Sequence, residues 1–289
     1  MERYKALLVA GAAYRFVGGH LRDCLVLAAV PMLAATAVLL AVTFLVAGGA
    51  GAGEMTPMRG ATFTSVFLLG LAGGLAQIVL YVMFAVAWHR HYLVGEDAAT
   101  PFAILRWRRR HWRFALKGVL LVILFFVIMM IVSLIALPML GGLLSHAGPN
   151  GGPMAGFFTF ALLFNVVVGL AVYYFGSRFL LAFPAAAVDD TTVGLSASWD
   201  LTDGNSLRFF AALILVAGPF MLLEYLGAYL GVALFGRALF SPSLAAILIV
   251  VQQALYFIAI ALTTTAASIT YRTLKELDTA ARAAAGETA

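Results

Sequence analysis

Charged side chains are scarce in this chain of 289 residues: Asp, Glu, Lys and Arg make up 11% of it, whereas 63% of the residues are hydrophobic. An ordinary soluble domain is about half apolar and about a quarter charged. The apolar residues also fall into separate runs of about 20, the length of helix that crosses the hydrocarbon layer of a bilayer. This composition excludes an ordinary soluble domain, and we predict an all-α, polytopic membrane helical bundle.

Cysteine is nearly absent as well. Cys24 is the single cysteine, which excludes an internal disulfide framework and a cysteine-based zinc site. The five histidines form no HExxH motif, and His89 and His91, although close neighbours, point about 200° apart on a helix. We therefore predict no metal site and no cofactor.

The apolar runs predict six transmembrane helices in one membrane domain that covers residues 1–289. The first run is longer than the apolar part of a signal peptide, so we expect it to be a retained span. The predicted spans are residues 25–47, 63–88, 118–141, 156–177, 209–235 and 243–268. Residues 273–289 are predicted to form a cytoplasmic tail.

The distribution of basic residues predicts the orientation of these spans. Lys and Arg accumulate in the short loops on the cytoplasmic side of membrane proteins. If the N-terminus is cytoplasmic, only Arg59 and Arg237 of the 18 Lys and Arg residues fall outside. We therefore expect both termini to lie in the cytoplasm.

An internal repeat is suggested by the inner segments. Each even-numbered span ends in an aromatic-rich stretch with one arginine: Arg90, Arg178 and Arg272. Each odd-numbered span follows a short segment with helical apolar spacing: Leu7, Gly11, Tyr14, Val17 and Leu21 in the first, Leu105, Trp112 and Leu116 in the second, Leu195 and Trp199 in the third. These patterns predict three units, each an interfacial helix followed by a transmembrane hairpin. A chance match is the alternative, because arginine is common at cytoplasmic helix ends.

The third interfacial helix has start and stop signals. Asp190 can accept hydrogen bonds from the first free amides of a helix, and Gly204 can adopt the left-handed conformation that ends one. We expect this segment to lie on the membrane rather than in it.

Glu224 is the only acidic or basic residue well inside a predicted span. An ionised carboxylate is costly in hydrocarbon and should face protein or water, or be protonated. Counting along the last hairpin and the neighbouring spans predicts a polar cluster of Glu224, Gln252, Gln253, Asn165 and Gln77, with Tyr225 and Tyr256 nearby. The cluster is interpreted either as a proton or substrate site, or as interhelical hydrogen bonding that fixes the packing of the bundle.

The densest basic patch consists of Arg106, Arg108, Arg109, Arg110 and Arg113, interleaved with aromatic residues. Beside a membrane surface such a patch attracts anionic lipid, at about 1 kcal/mol per basic residue. Nucleic-acid binding is the alternative, which we do not expect.

No catalytic motif is recognisable in the sequence. A glycine-rich phosphate loop, a GxSxG turn and a glutamate-rich intramembrane protease motif are all missing. Ser196, Ser198 and Ser206 lie near Asp200 and Asp203, but no histidine is close to them in sequence. We therefore predict that the protein is not an enzyme.

The stretch from Ser177 to Ala185 and that from Leu195 to Gly204 contain an Arg, an apolar stretch with Pro, and a short helix with Ser-Trp, Leu-Thr and Gly. In this pattern the chain resembles bacterial inner-membrane proteins of the YciC-like family and the membrane domain of some glycerophosphoryl diester phosphodiesterases. The resemblance implies a bacterial inner-membrane location and lends no catalytic residues, since the phosphodiesterase chemistry belongs to a separate soluble domain.

These expectations lead to one main functional hypothesis, a non-catalytic inner-membrane protein that organises lipid or partner proteins at its cytoplasmic face. The alternative is a small-molecule or proton-coupled transporter that uses Glu224. A third hypothesis, an intramembrane enzyme acting on lipids, needs two convergent ionisable groups, and the sequence provides one.

Overall fold

The structure is a computed structural model that describes residues 5–49, 60–95, 104, 106–146, 167–235 and 242–286. Within these ranges the chain forms nine α-helices and no strand. The helices are α1 (Ala6–Gly19), α2 (Leu21–Gly49), α3 (Gly60–Val94), α4 (Arg109–His146), α5 (167–179), α6 (Ala182–Ala187), α7 (Leu195–Leu201), α8 (Ser206–Phe235) and α9 (Pro242–Ala284).

Five of these helices are long and apolar enough to cross a membrane. The apolar stretches run from Leu21 to Thr43, Phe67 to Val94, Arg109 to Leu134, Ser206 to Glu224 and Ala246 to Ala284. They correspond to the predicted first, second, third, fifth and sixth spans. The fourth predicted span lies partly outside the described residues, which include only its last part, in α5. The prediction of an all-α, multi-pass membrane bundle is confirmed.

The long helices alternate in direction, and one end of the bundle collects most of its polar contacts. At this end α3 and α9 finish while α2, α4 and α8 begin. Arg90, Lys117, Arg178 and Lys275 all lie there, so we call it the basic end and the opposite one the distal end.

The core lies toward the basic end, where α1, α2, α3, α8 and α9 pack together. Trp88 and Phe84 of α3 are completely buried, as are Leu213 and Val216 of α8. The indole Nε1–H of Trp88 donates to the carbonyl oxygen of Ala261 (2.9 Å) and to the hydroxyl of Thr265 (2.8 Å), which ties α3 to α9.

The first interfacial segment forms the predicted helix, α1. Most of the apolar residues that predicted it lie outside the packed face: only Val17 is buried, whereas Leu7 is 74% exposed. The buried face consists of Val9, Ala10, Ala13 and Val17. These small side chains let α1 pack closely against α8 and α9, so the tight interhelical contact, rather than the most hydrophobic residues, determines its orientation.

α1 also supplies a donor where α8 lacks one backbone hydrogen bond. Pro219 has no N–H and leaves the carbonyl of Leu215 without its usual helical donor. The hydroxyl of Tyr14 lies 3.2 Å from the carbonyl oxygens of both Leu215 and Val216 and donates to them. Tyr14 therefore links α1 to α8 one turn before Pro219.

The second and third interfacial segments differ from expectation. Trp112 and Leu116 lie in the first turns of the long helix α4 and do not form a separate helix; Leu105 lies outside the described residues. The third segment forms α7, and Gly204 has the predicted left-handed conformation (φ 69°). The cap of α7 is Gly194 rather than Asp190.

Candidate functional site

The segment between α5 and α8, residues 178–205, folds into the basic end of the bundle. Leu181, Ala182, Ala185, Ala187, Ser198 and Thr202 are completely buried. The four alanines of α6 present little bulk, so α6 packs against α3, α4 and α9. The prediction of a segment on the membrane surface concerns the later part of this connection, from Asp190 to Gly204, where α7 has only Ser198 buried. The small side chains of α6 let the earlier part pack inside the helix ends.

Basic side chains from three helices hold this segment in place. Arg90 of α3 donates to the carbonyl oxygen of Ala187 (3.2 Å). Lys117 of α4 donates to the carbonyl oxygens of Ala182 (2.9 Å) and Val193 (3.1 Å). Lys275 of α9 forms an ion pair with Asp190. The groups of Arg90 and Lys117 therefore donate to backbone carbonyl oxygens of the segment, and that of Lys275 donates to its carboxylate.

Asp190 is the main acidic acceptor of this arrangement. Its carboxylate accepts hydrogen bonds from Lys275 and the hydroxyl of Tyr271, and from the backbone N–H of Thr192 at 2.8 Å. Burial raises the pKa of Asp190, but the hydrogen bonds from Lys275, Thr192 and Tyr271 outweigh it and hold that pKa well below its usual range. The carboxyl therefore stays ionised at neutral pH.

Arg178 stabilises the segment from within. Its guanidinium lies 3.7 Å from the centre of the Trp199 ring and donates to the carbonyl oxygen of Trp199 at 3.0 Å. It also contacts Thr202 and Asp203. The third repeat arginine, Arg272, donates instead to the hydroxyl of Tyr92 on α3 (3.1 Å). The three arginines thus occupy different environments.

The predicted basic patch divides into two groups. Arg110 and Arg113 each lie 3.7 Å from Asp189 and are partly buried. Arg106, Arg108 and Arg109 are exposed. The second group is therefore the one whose exposure suits contact with a ligand outside the bundle.

Trp107 and His111 support the start of α4. The two rings stack with centres 5.2 Å apart, and the backbone N–H of Arg108 donates to the His111 Nδ1 (3.0 Å). Trp112 meets Trp107 edge to face and is itself 66% exposed. The exposed arginines therefore stand beside an ordered aromatic cluster.

The histidines of α3 are part of the packing. His89 is buried and lies 2.7 Å from the Ser268 hydroxyl, while the Nε2 of His91 lies 3.6 Å from an Asp23 carboxylate oxygen. Among the described residues, no group of three His, Cys, Asp or Glu side chains has metal-binding geometry.

The predicted polar cluster is divided between two contacts on α9. Glu224 accepts a hydrogen bond from the Gln252 side-chain amide (3.0 Å), and both residues are exposed. Gln253 is buried and accepts a hydrogen bond from the Tyr81 hydroxyl (3.2 Å). The amide nitrogen of Gln77 is buried with no hydrogen-bond partner in the described part of the chain. Asn165 and the side chain of Tyr225 lie outside the described residues.

The sequence reasoning missed Lys117, Asp190 and Tyr81 as contact residues of these clusters. Tyr81 lies inside an apolar run and Lys117 lies directly before one. A polar side chain at such a place is itself a signal of an internal partner. Asp190 was expected to cap a helix.

Comparisons with family models, with curated proteins and with solved structures yield no match to this chain. The resemblance to the YciC-like family and to the phosphodiesterase membrane domain therefore stays a prediction.

Proposed function

We propose that this chain is a non-catalytic protein of the bacterial inner membrane that binds anionic lipid at its basic end and organises lipid there. The observation that carries the proposal is an exposed stripe along α4, which begins with Arg109, continues through Trp112 and Leu116 and extends to Leu120 and Ile123. Trp112, Leu116, Leu120 and Ile123 are 66%, 60%, 47% and 54% exposed.

The stripe changes from basic to aromatic to aliphatic side chains, in the same order as the layers of one bilayer leaflet from headgroup to acyl chain. Residues three or four apart lie on the same face of a helix, so the side chains form one line. Arg109 and the adjacent Arg108 suit a lipid phosphate, Trp112 suits the interface, and the aliphatic residues suit an acyl chain. The stripe from Arg109 to Ile123 is about 21 Å long at 1.5 Å per residue.

Native mass spectrometry of the purified protein with phosphatidylglycerol and phosphatidylcholine tests the proposal. We expect the wild type to retain phosphatidylglycerol preferentially. Replacing Arg106, Arg108 and Arg109 by Gln should weaken that preference at least tenfold, since each basic residue contributes about 1 kcal/mol. The charge-matched control replaces Arg15, Arg208 and Arg282 by Gln. Equal losses in both triple variants, or no preference in the wild type, would contradict a site on α4.

The proposed orientation has both termini in the cytoplasm, and it is supported by the charge distribution, with only Arg59 and Arg237 in the predicted outer segments. Fusions of green fluorescent protein and alkaline phosphatase to the C-terminus test it in a bacterial host. We expect fluorescence and no phosphatase activity. Active phosphatase would contradict the proposed orientation, because the basic end would then face away from the anionic cytoplasmic leaflet.

The transporter alternative also has an observation in its favour. Glu224 and Gln252 form a hydrogen-bonded pair that is exposed although it lies in long apolar helices. A polar pair in such a place is typical of substrate and ion pathways. Solute uptake into liposomes that contain the wild type or Glu224→Gln distinguishes a transporter from a lipid-binding protein.

A further inference from the structure

α1 packs against both α8 and α9 toward the basic end of the bundle. Val9, Ala13 and Val17 of α1 are buried there, and Tyr14 reaches the carbonyl oxygens of Leu215 and Val216. Since α1 contains 14 residues, it is too short to follow the long helices across a bilayer.

Glu224 lies farther from the basic end on α8, where it contacts Gln252 of α9. Leu213, Val216, Phe220 and Glu224 follow each other at intervals of three or four residues and so share one face of α8. Leu213 and Val216 are completely buried and Phe220 packs against the core, yet Glu224 is exposed. Glu224 is about 12 Å beyond Val216 along the helix axis. The inward face of α8 therefore becomes accessible at this level.

The side chains around this opening combine a carboxylate with an aromatic surface. Gln252 donates to Glu224, and Tyr256, one turn along α9, is 45% exposed. The Tyr256 ring is held by the Tyr81 ring, with centres 5.2 Å apart. Gly227, one turn beyond Glu224, is exposed, and a side chain built on it would meet no atom within 4 Å. There is space beside the carboxylate.

We propose that this opening binds a lipophilic organic monocation. A single carboxylate balances one positive charge, the face of Tyr256 attracts a cation with apolar substituents, and the apolar helices admit a ligand that partitions into the bilayer. A hard metal ion needs more oxygen ligands than this arrangement offers, and an anion is repelled by Glu224. The inference concerns binding and does not rest on the lipid contacts of α4.

Equilibrium binding of radiolabelled tetraphenylphosphonium to the full chain in phosphatidylcholine nanodiscs tests the proposal. We expect saturable binding above that of empty nanodiscs. Glu224→Gln should weaken it at least tenfold and Tyr256→Leu about threefold, since the first change removes the charge and the second the ring face. Glu276→Gln, which removes an exposed carboxylate at the end of α9, should have no effect. Binding equal to that of empty nanodiscs, or equal losses in Glu224→Gln and Glu276→Gln, would overturn the proposal.

A second measurement keeps Glu224 in place. We expect saturating tetraphenylphosphonium to slow maleimide labelling of a thiol introduced by Gly227→Cys. The matched control is Leu222→Cys on the opposite side of α8, where labelling should continue at the same rate. An unchanged rate at position 227, or the same slowing at both positions, would overturn the proposed site.

Discussion

The two halves of the bundle differ in how completely their side chains are covered, although the same helices run through both. On α3, Phe84 and Trp88 near the basic end are completely buried, whereas Phe67 and Leu71 toward the distal end are 59% and 51% exposed. Lipid tails are as apolar as these side chains, so hydrophobicity alone does not bring helices together in a membrane. Small residues and hydrogen bonds direct close packing, and among the described residues most hydrogen bonds between helices lie at the basic end.

The largest expected effect comes from shortening a buried side chain in the half near the basic end. Phe84→Ala should lower the free energy of unfolding by about 3 kcal/mol, because it leaves a cavity in a packed core. Phe67→Ala on the same helix should change it by about 0.5 kcal/mol or less. Unfolding in mixed micelles by titration with sodium dodecyl sulfate measures both. Similar losses in the two variants would remove the distinction between the halves.

The next effect concerns the cations that hold the 178–205 segment. Lys117→Met should lower the free energy of unfolding by about 2 to 3 kcal/mol, since two carbonyl groups lose a charged donor. Arg109→Met, at the exposed start of the same helix, is the control and should be nearly neutral. The same micelle titration measures both variants. An unchanged free energy of unfolding in Lys117→Met would contradict this role of Lys117, because water would then replace the ammonium group.

The contribution of Asp190 should depend on pH. Its pKa is lowered in the folded protein, so the stabilisation is fully present above the unfolded pKa of about 4 and is lost as pH falls toward the folded pKa. Asp190→Asn should therefore cost about 1 to 2 kcal/mol at pH 7 and progressively less below pH 4. A difference between wild type and variant that does not change with pH would contradict the ionised pairing with Lys275.

A smaller effect is expected where α1 meets α8. Tyr14→Phe removes the donor that replaces the missing N–H of Pro219 and should lower the free energy of unfolding by about 1 kcal/mol. Tyr173→Phe is the matched control, because the Tyr173 hydroxyl has no hydrogen-bond partner within the described residues. Faster backbone hydrogen exchange in α1 of the Tyr14 variant would locate the loss, and unchanged exchange there would contradict it.

The smallest effect should come from Asp189, which pairs with Arg110 and Arg113 at the surface. Asp189 has a left-handed backbone conformation (φ 61°), which Asn also tolerates. Asp189→Asn therefore isolates the charge and should change the free energy of unfolding by about 0.5 kcal/mol or less, because the carboxylate is half exposed. Thermal unfolding of both proteins at low and high salt measures the difference. A larger loss would mean that this ion pair helps to hold the segment.

Much of the bundle was predictable from the sequence because membrane spans depend on local composition. The apolar runs predicted five described spans, with ends displaced by several residues; α3 and α9, for example, extend well beyond the predicted boundaries. The pairing of Glu224 with Gln252 agrees with the position expected from counting along the hairpin. The burial of α6 between α3, α4 and α9 was not predictable, since its partners lie far away in the sequence.

The sequence by itself determined that this chain forms apolar helices of membrane length and that its basic residues cluster in particular segments, because both follow from neighbouring residues. Apart from Glu224 and Gln252, which belong to one hairpin, only the tertiary structure decided which polar groups meet. Arg90 and Ala187 are 97 residues apart, and Tyr14 and Leu215 are 201 apart. In an apolar environment a polar group needs a hydrogen-bond partner within the protein. Which partner is within reach depends on how all the helices pack together.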